Sequence, residues 1–473
     1  MALVSKLKHS GCLYPVVLKS MDIKLRIEAI RRYYDAILLI ALLVSRVIIY
    51  FAYGNLGVLA PDTTLRYIPQ IETLRQSWLS FFSLTGPLYT LFLSLMDYFF
   101  GNVVVPTALI QHLLGIVAAF LVFRLLKRIH MDLAFVTVIL VFCSPRAAIF
   151  EHLIIREAPM MLLLTCYISV LCAIVSIRPV EAPSLKPTSL FFLWGFLGVL
   201  CLLLRIEYLP VIVLAPMLLF FVLRGWPVVR KSFFILIYFL PIFAAFTMTQ
   251  ITKARFPPNQ YSNCAFCIAY YSLQNDVFSY PPEESAHPSL VMAFQQIMSS
   301  CGKMDIACET RIIESAENYL REHPSLKSSG SRNILDDMYL EMMRKNTLVY
   351  LKSYGINFLR QLQGNQELPP SKNSQWWKDL LRILFPQVII NNVISVLFLC
   401  AVPLLLFDRT SRSPNAALIL LFIVVTQLAV VSFVANPVAR FRYPLDPYIY
   451  FFALQFLYGM RLSIAPLIFK RLK

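Results

Sequence analysis

Charge is what this chain lacks. Only 15% of its 473 residues are charged against 58% hydrophobic, a balance that no soluble domain of this size needs and that marks a polytopic membrane protein. Acids are scarcer than bases, 26 against 43, which leaves a net charge of +17. Such an excess fits nucleic acid only if the bases cluster on a soluble face. Here they punctuate hydrophobic runs, so nucleic acid is excluded as a partner and anionic lipid and topology explain the bias. The N-terminal 35 residues lack the short apolar core and small-residue cleavage site of a signal peptide, so the first span is expected to serve as an uncleaved anchor. No appended soluble catalytic domain and no half-to-half repeat are visible.

What is present is a series of long apolar runs. A bilayer core of about 30 Å requires roughly 20 apolar residues per helix. That ruler places spans near 36–55, 103–126, 132–149, 158–177, 188–204, 207–223, 232–250, 386–407, 415–434 and 445–460. Pro87 to Phe100 is apolar but short, and reads as a half-buried interfacial helix. With the N-terminus inside, the cytoplasmic segments hold three times as many Lys and Arg as the short outer segments, so both termini are expected in the cytoplasm. The expected fold is all-α, with about ten transmembrane helices, interfacial helices in the first outer loop and one mostly helical extracytoplasmic loop domain.

The organisation that follows is a basic tail over 1–35, a membrane module over 36–250 with its first outer loop at 56–102, a loop domain over 251–385, and further membrane helices over 386–473. The loop domain carries a helix near Ile334 to Leu362, and Trp376-Trp377 marks its return to the bilayer. Four of the ten cysteines, Cys264, Cys267, Cys301 and Cys308, fall in it. Their spacing does not repeat a pair of C-x-x-C knuckles, so two disulfides are expected rather than zinc, in one of three connectivities.

Every short outer loop carries both arginine and a carboxylate. The first has Asp62, Arg66, Tyr67, Glu72 and Arg75; the second has Arg146, Glu151, His152, Arg156 and Glu157; the third has Arg205 and Glu207; the last has Arg440, Arg442, Tyr443 and Asp446. Mixed charge at one membrane face suits an anionic headgroup that also needs a base, such as a lipid-linked phosphosugar. Asp62 is the first candidate for chemistry, because an acid where a membrane segment meets water is costly to hold there.

The run Pro61-Asp62-Thr63-Thr64-Leu65-Arg66-Tyr67, then Gly86-Pro87-Leu88-Tyr89 and Phe100-Gly101, resembles the first outer loop of the GT-C glycosyltransferases that use polyprenyl-phosphate sugars, among them protein O-mannosyltransferases and the aminoarabinose transferases of lipid A. Ser144-Pro145 through His152 to Glu157, Leu204-Arg205, and Arg442-Tyr443-Pro444-Leu445-Asp446-Pro447 fit the same pattern. The likeness covers about 36–225 and 436–450; the loop 251–385 has no counterpart. The resemblance implies that Asp62 acts as catalytic base or orients the acceptor at the periplasmic or lumenal face. The family often has two adjacent acids, whereas here Asp62 is followed by Thr63.

A mechanism follows from that resemblance. A sugar on undecaprenyl or dolichyl phosphate is displaced with inversion by an acceptor hydroxyl of a glycan, lipid or protein. Asp62 takes the proton, while Arg205, Arg440 and Arg442, with Arg66 and Arg75 next, hold the leaving phosphate. Glu151, His152, Glu157 and Tyr443 complete the substrate-binding set, and no metal or other cofactor is expected. Each residue also has a plainer reading. Asp62 can cap the helix after it, Glu157 can open its span, Arg440, Arg442 and Arg46 can snorkel, and His112 can be a satisfied buried polar group. A transporter or flippase of an anionic lipid or glycan, and an inactive GT-C-like scaffold, are the rival functions.

Overall fold

A computed structural model describes residues 28, 30–53, 57–60, 63–84, 86–177, 185–223, 225–255, 282–301, 306–323, 330–363, 387–407, 414–434 and 442–471. The described residues are overwhelmingly helical. The first membrane helix, α1, is Tyr34–Tyr53, followed by the two-residue strand β1, Val58–Leu59, and the short helix α2, Ile68–Gln76. Helix α3, Pro87–Phe100, keeps the short length read from sequence. Its 14 residues reach about 21 Å at 1.5 Å each, too little to cross the bilayer. Gly86 fixes its start with φ +59°, a left-handed turn into Pro87, which needs no N–H partner in the first turn.

Helix α4, Val104–Leu126, is long and apolar enough to cross a membrane. The span read at 132–149 is not one helix. It is α5, Met131–Phe142, and α6, Pro145–His152, bent by 54°. The cause is local. Pro145 has no N–H to continue the ladder, and the Ser144 hydroxyl caps the new helix by accepting from the Ala147 N–H at 3.2 Å. Directly after α6 comes strand β2, Leu153–Ile154, then α7, Glu157–Val175, α8, Leu185–Leu204, α9, Leu209–Val222, and α10, Val228–Arg255. Leu38, Phe123, Phe142, Ile168, Trp194 and Tyr448 belong to one continuous buried core.

Beyond it, α11, Pro288–Ser300, α12, Ile306–Glu322, and α13, Gly330–Lys345, gather a separate apolar cluster around Phe294, Ile312, Leu335 and Met338. The helix expected near 334–362 is broken at Asn346, and its second half is α14, Thr347–Gln363. Helix α14 packs against α15, Gln387–Phe407, and α16, Pro414–Val434; the last helix, α17, is Asp446–Arg471. Trp376 and Trp377 lie outside the described residues.

Five of the described helices are long and apolar enough to cross a membrane, six if α5 and α6 form one broken span. The chain is therefore an integral membrane protein. Among the described residues, α9, α15 and α16 are apolar over shorter stretches, Ile206–Val222, Ile389–Pro403 and Ala417–Val430.

Candidate functional site

The segment after α1 is held to the end of α6 by backbone. Strand β1 pairs in parallel with β2, with Val58 opposite Leu153 and Leu59 opposite Ile154. Four residues on, the buried Thr63 hydroxyl donates to the Ile154 carbonyl. Position 63 is where the resembled family often has its second acid, and here a donor is required. Asp62 itself lies outside the described residues.

Below this junction sits a buried ionic cluster. Arg46 donates through Nε to Glu151 Oε2 at 2.8 Å and through Nη2 to Oε1, while Nη1 reaches the Phe142 carbonyl at 2.5 Å. His112 Nδ1 lies 3.0 Å from Glu151 Oε2. Glu151 is 0% exposed, so this carboxylate is held wholly by protein groups. Arg46 does not snorkel; it is a buried partner. His152 is also buried, with its ring 6.0 Å from that of His112.

A second group joins the starts of α7 and α9. Arg205 pairs with Glu157, both nearly fully buried. Arg156 donates to the Leu204 carbonyl at 3.1 Å and to Glu207 at 3.2 Å, and its guanidinium stands 5.9 Å over the Tyr67 ring. Gly86 packs into this corner, which brings α3 to the same point.

The third group centres on Asp446. Its Oδ1 is 2.6 Å from Arg442 Nε and its Oδ2 is 3.2 Å from Arg146 Nη1, so one carboxylate serves two guanidiniums. Arg442 also donates to Ser395 at 3.2 Å. Burial is the main influence on Arg442 and pulls its pKa below the ordinary arginine value; Asp446 opposes this and Arg146 adds to it. An arginine stays charged regardless, so the neighbourhood favours further negative charge. Tyr443 is buried against Phe150, ring centres 4.9 Å apart.

Six of the expected site residues, Glu151, His152, Glu157, Arg205, Arg442 and Tyr443, are thus buried in these groups. Arg75 is not. It is 45% exposed and pairs with Asp97 and Glu72 on the outside of α2 and α3. Arg440 lies outside the described residues, and the side chain of Arg66 is not described. Cys301 is disulfide-bonded; Cys264 and Cys267 lie outside the described residues, and the side chain of Cys308 is not described. Among the described residues, no group of three His, Cys, Asp or Glu is placed to hold a metal ion.

The structure adds Arg46, His112, Arg146, Arg156, Glu207 and Asp446 to the residues expected to bind substrate; Arg146, Arg156, Glu207 and Asp446 already stand in the mixed-charge loops. Arg46 and Asp446 carry a sharper signal. A cation inside a span demands a counter-ion, and Arg442 to Asp446 is an i,i+4 pair.

No family model matches this chain, and no curated protein does. Two solved structures are similar to it. One is the archaeal oligosaccharyltransferase AglB from Archaeoglobus fulgidus, in complex with an inhibitory peptide and a dolichol-phosphate: 10% identity, TM-score 0.42, 92% of this chain and 52% of that one. The other is ArnT from Cupriavidus metallidurans bound to undecaprenyl phosphate: 11% identity, TM-score 0.37, 90% of this chain and 79% of that one. This chain spans about half the length of the first.

Proposed function

We propose that this chain is a GT-C-type glycosyltransferase that moves a sugar from a polyprenyl-phosphate donor to an acceptor hydroxyl. The observation that carries the reading is the buried ionic belt. Five guanidiniums, Arg46, Arg146, Arg156, Arg205 and Arg442, stand among the four carboxylates Glu151, Glu157, Glu207 and Asp446, and Tyr67 and Gly86 of the first loop reach the Arg156 group. Displacement at the anomeric carbon builds negative charge on the leaving lipid phosphate. Fixed buried guanidiniums bind that charge more strongly as it develops, which lowers the barrier rather than only the ground state. Arg442 and Arg146, which share Asp446, are the first candidates, and Arg205 and Arg440 are the next. Asp62 takes the acceptor proton as the hydroxyl attacks, and the product has inverted configuration.

The outer face is the proposed location. The charge bias supports it, and so does the disulfide at Cys301, because disulfides persist in oxidising compartments. The loop domain over 251–385 is proposed to select the acceptor there. The test is turnover by protein in lipid nanodiscs given a polyprenyl-phosphate hexose and a soluble acceptor analogue. Asp62→Asn should lower kcat by about 10²–10⁴-fold, the usual worth of a general base, with folding unchanged. Equal turnover in that variant would remove Asp62 from the chemistry.

One observation favours a transporter of an anionic lipid: the span broken between α5 and α6 with the Arg46–Glu151 pair buried beside it, a feature of transport sites. Proteoliposomes separate the two readings. Labelled polyprenyl phosphate that crosses leaflets without loss of sugar supports transport, and sugar transfer without crossing supports the enzyme.

A further inference from the structure

Helix α4 presents three consecutive contacts to one short segment. Gln111 donates through Nε2 to the Ile155 carbonyl, His112 Nδ1 meets Glu151 Oε2 at 3.0 Å, and Gly115 lies against the Glu151 carboxylate so closely that a Cβ there would overlap it. Arg46 of α1 closes the fourth side. The segment they hold, 151–155, contains β2, on which the first outer loop is docked through Val58, Leu59 and Thr63. It also ends α6, which carries Arg146 to Asp446 at its other end. We infer that Arg46, His112 and Gly115 on Glu151, with Gln111 on the Ile155 carbonyl, form a clamp on the segment 151–155 that sets the position of the docked residues Val58, Leu59 and Thr63 relative to the arginines proposed to bind phosphate. These are positioning residues for the proposed transfer reaction, and the proposal depends on that reading for its purpose but not for its geometry.

The clamp is read without substrate by cross-linking. Val58 and Leu153 are register partners in a parallel pair, within the span that a disulfide bridges. In a Val58→Cys/Leu153→Cys background, mild oxidation followed by peptide mapping reports how often the loop is docked. Gly115→Ala should lower the cross-linking rate about tenfold, the scale of coupling between residues in contact, while thermal melting shows the protein folded. Adding Glu151→Asp shortens the acid by one methylene, makes room for the new Cβ and should restore much of the rate. A purely structural role for Gly115 would lower the melting temperature in step with the cross-link, whereas the clamp predicts a slowed cross-link in a protein that melts as the parent does.

His112→Leu leaves the Arg46–Glu151 pair intact and should also slow the cross-link; it stands in if Gly115→Ala fails to fold. A Gly115→Ala protein that cross-links at the parental rate, or a double variant with no recovery, overturns the clamp. In the transfer assay, Gly115→Ala should lower kcat about tenfold with little change in KM, because it misplaces groups that act only in the transition state. A parent with no sugar transfer would overturn the functional reading alone, since the cross-link needs no donor.

Discussion

Arg46 and Thr63 show what a single residue commits this protein to. Arg46 is buried with its guanidinium fork on Glu151, so removing it strands an acid of zero exposure. Arg46→Ala should destabilise by about 3–5 kcal/mol, whereas Arg46→Met combined with Glu151→Leu should come close to neutral, because a buried pair costs desolvation that an apolar pair does not. Thermal melting in detergent checks both, and equal losses in the two variants would contradict the pairing. Thr63 donates to the Ile154 carbonyl. Thr63→Asp, which would restore the acidic doublet common in the resembled family, should cost about 1–3 kcal/mol because a carboxylate there faces an acceptor. It should lower turnover rather than raise it. From sequence, Arg46 was legible as a cation out of place. Its partner was not, since Glu151 lies 105 positions away and pairing over that distance leaves no local pattern.

At the scale of elements, hydrophobic length and punctuation were the legible signals. The bounds of α3 follow from Gly86-Pro87 at one end and Gly101 at the other, and its apolar length alone ruled out a span. The break between α5 and α6 was harder to read, because apolar residues resume after Ser144-Pro145-Arg146 and one proline can kink a span without ending it. Ser144 is the residue that turns the kink into a new helix. Ser144→Ala should cost about 1 kcal/mol of stability through the lost cap and should displace α6, and with it Arg146, before it affects α4. Hydrogen exchange resolved by peptide checks this: protection should fall over 145–152 and hold over 104–126. Uniform loss across both helices would show that the bend is not set by its cap. The interruption at Asn346 follows the same logic, since the apolar positions continue on both sides and only the weak helix propensity of asparagine marks it.

For the whole molecule, the proposed mechanism stands or falls on sidedness. The belt of arginines joins the N-terminal end of α6 to the N-terminal end of α17, and the C-terminal end of α8 to the N-terminal end of α7, so these ends meet on one side of the bundle. The opposite end has its own ion pairs, Arg31 with Asp132 and Arg124 with Asp35, between the start of α1, the end of α4 and the start of α5. Those pairs are largely exposed and contribute about 0–1 kcal/mol each, so they mark an aqueous face rather than a site. Charge counting assigns that second face to the cytoplasm and the belt to the outside. Met292, half exposed on α11, is a direct probe of the assignment. In a background where Cys12, Cys143, Cys166, Cys172, Cys201 and Cys400 are replaced and the loop cysteines are kept under non-reducing conditions, Met292→Cys should react with a membrane-impermeant maleimide from outside intact cells and not in sealed inverted vesicles. Labelling only in the inverted vesicles would move the loop domain and the arginine belt to the cytoplasm. A donor whose sugar is presented at the outer leaflet could then no longer reach Asp62.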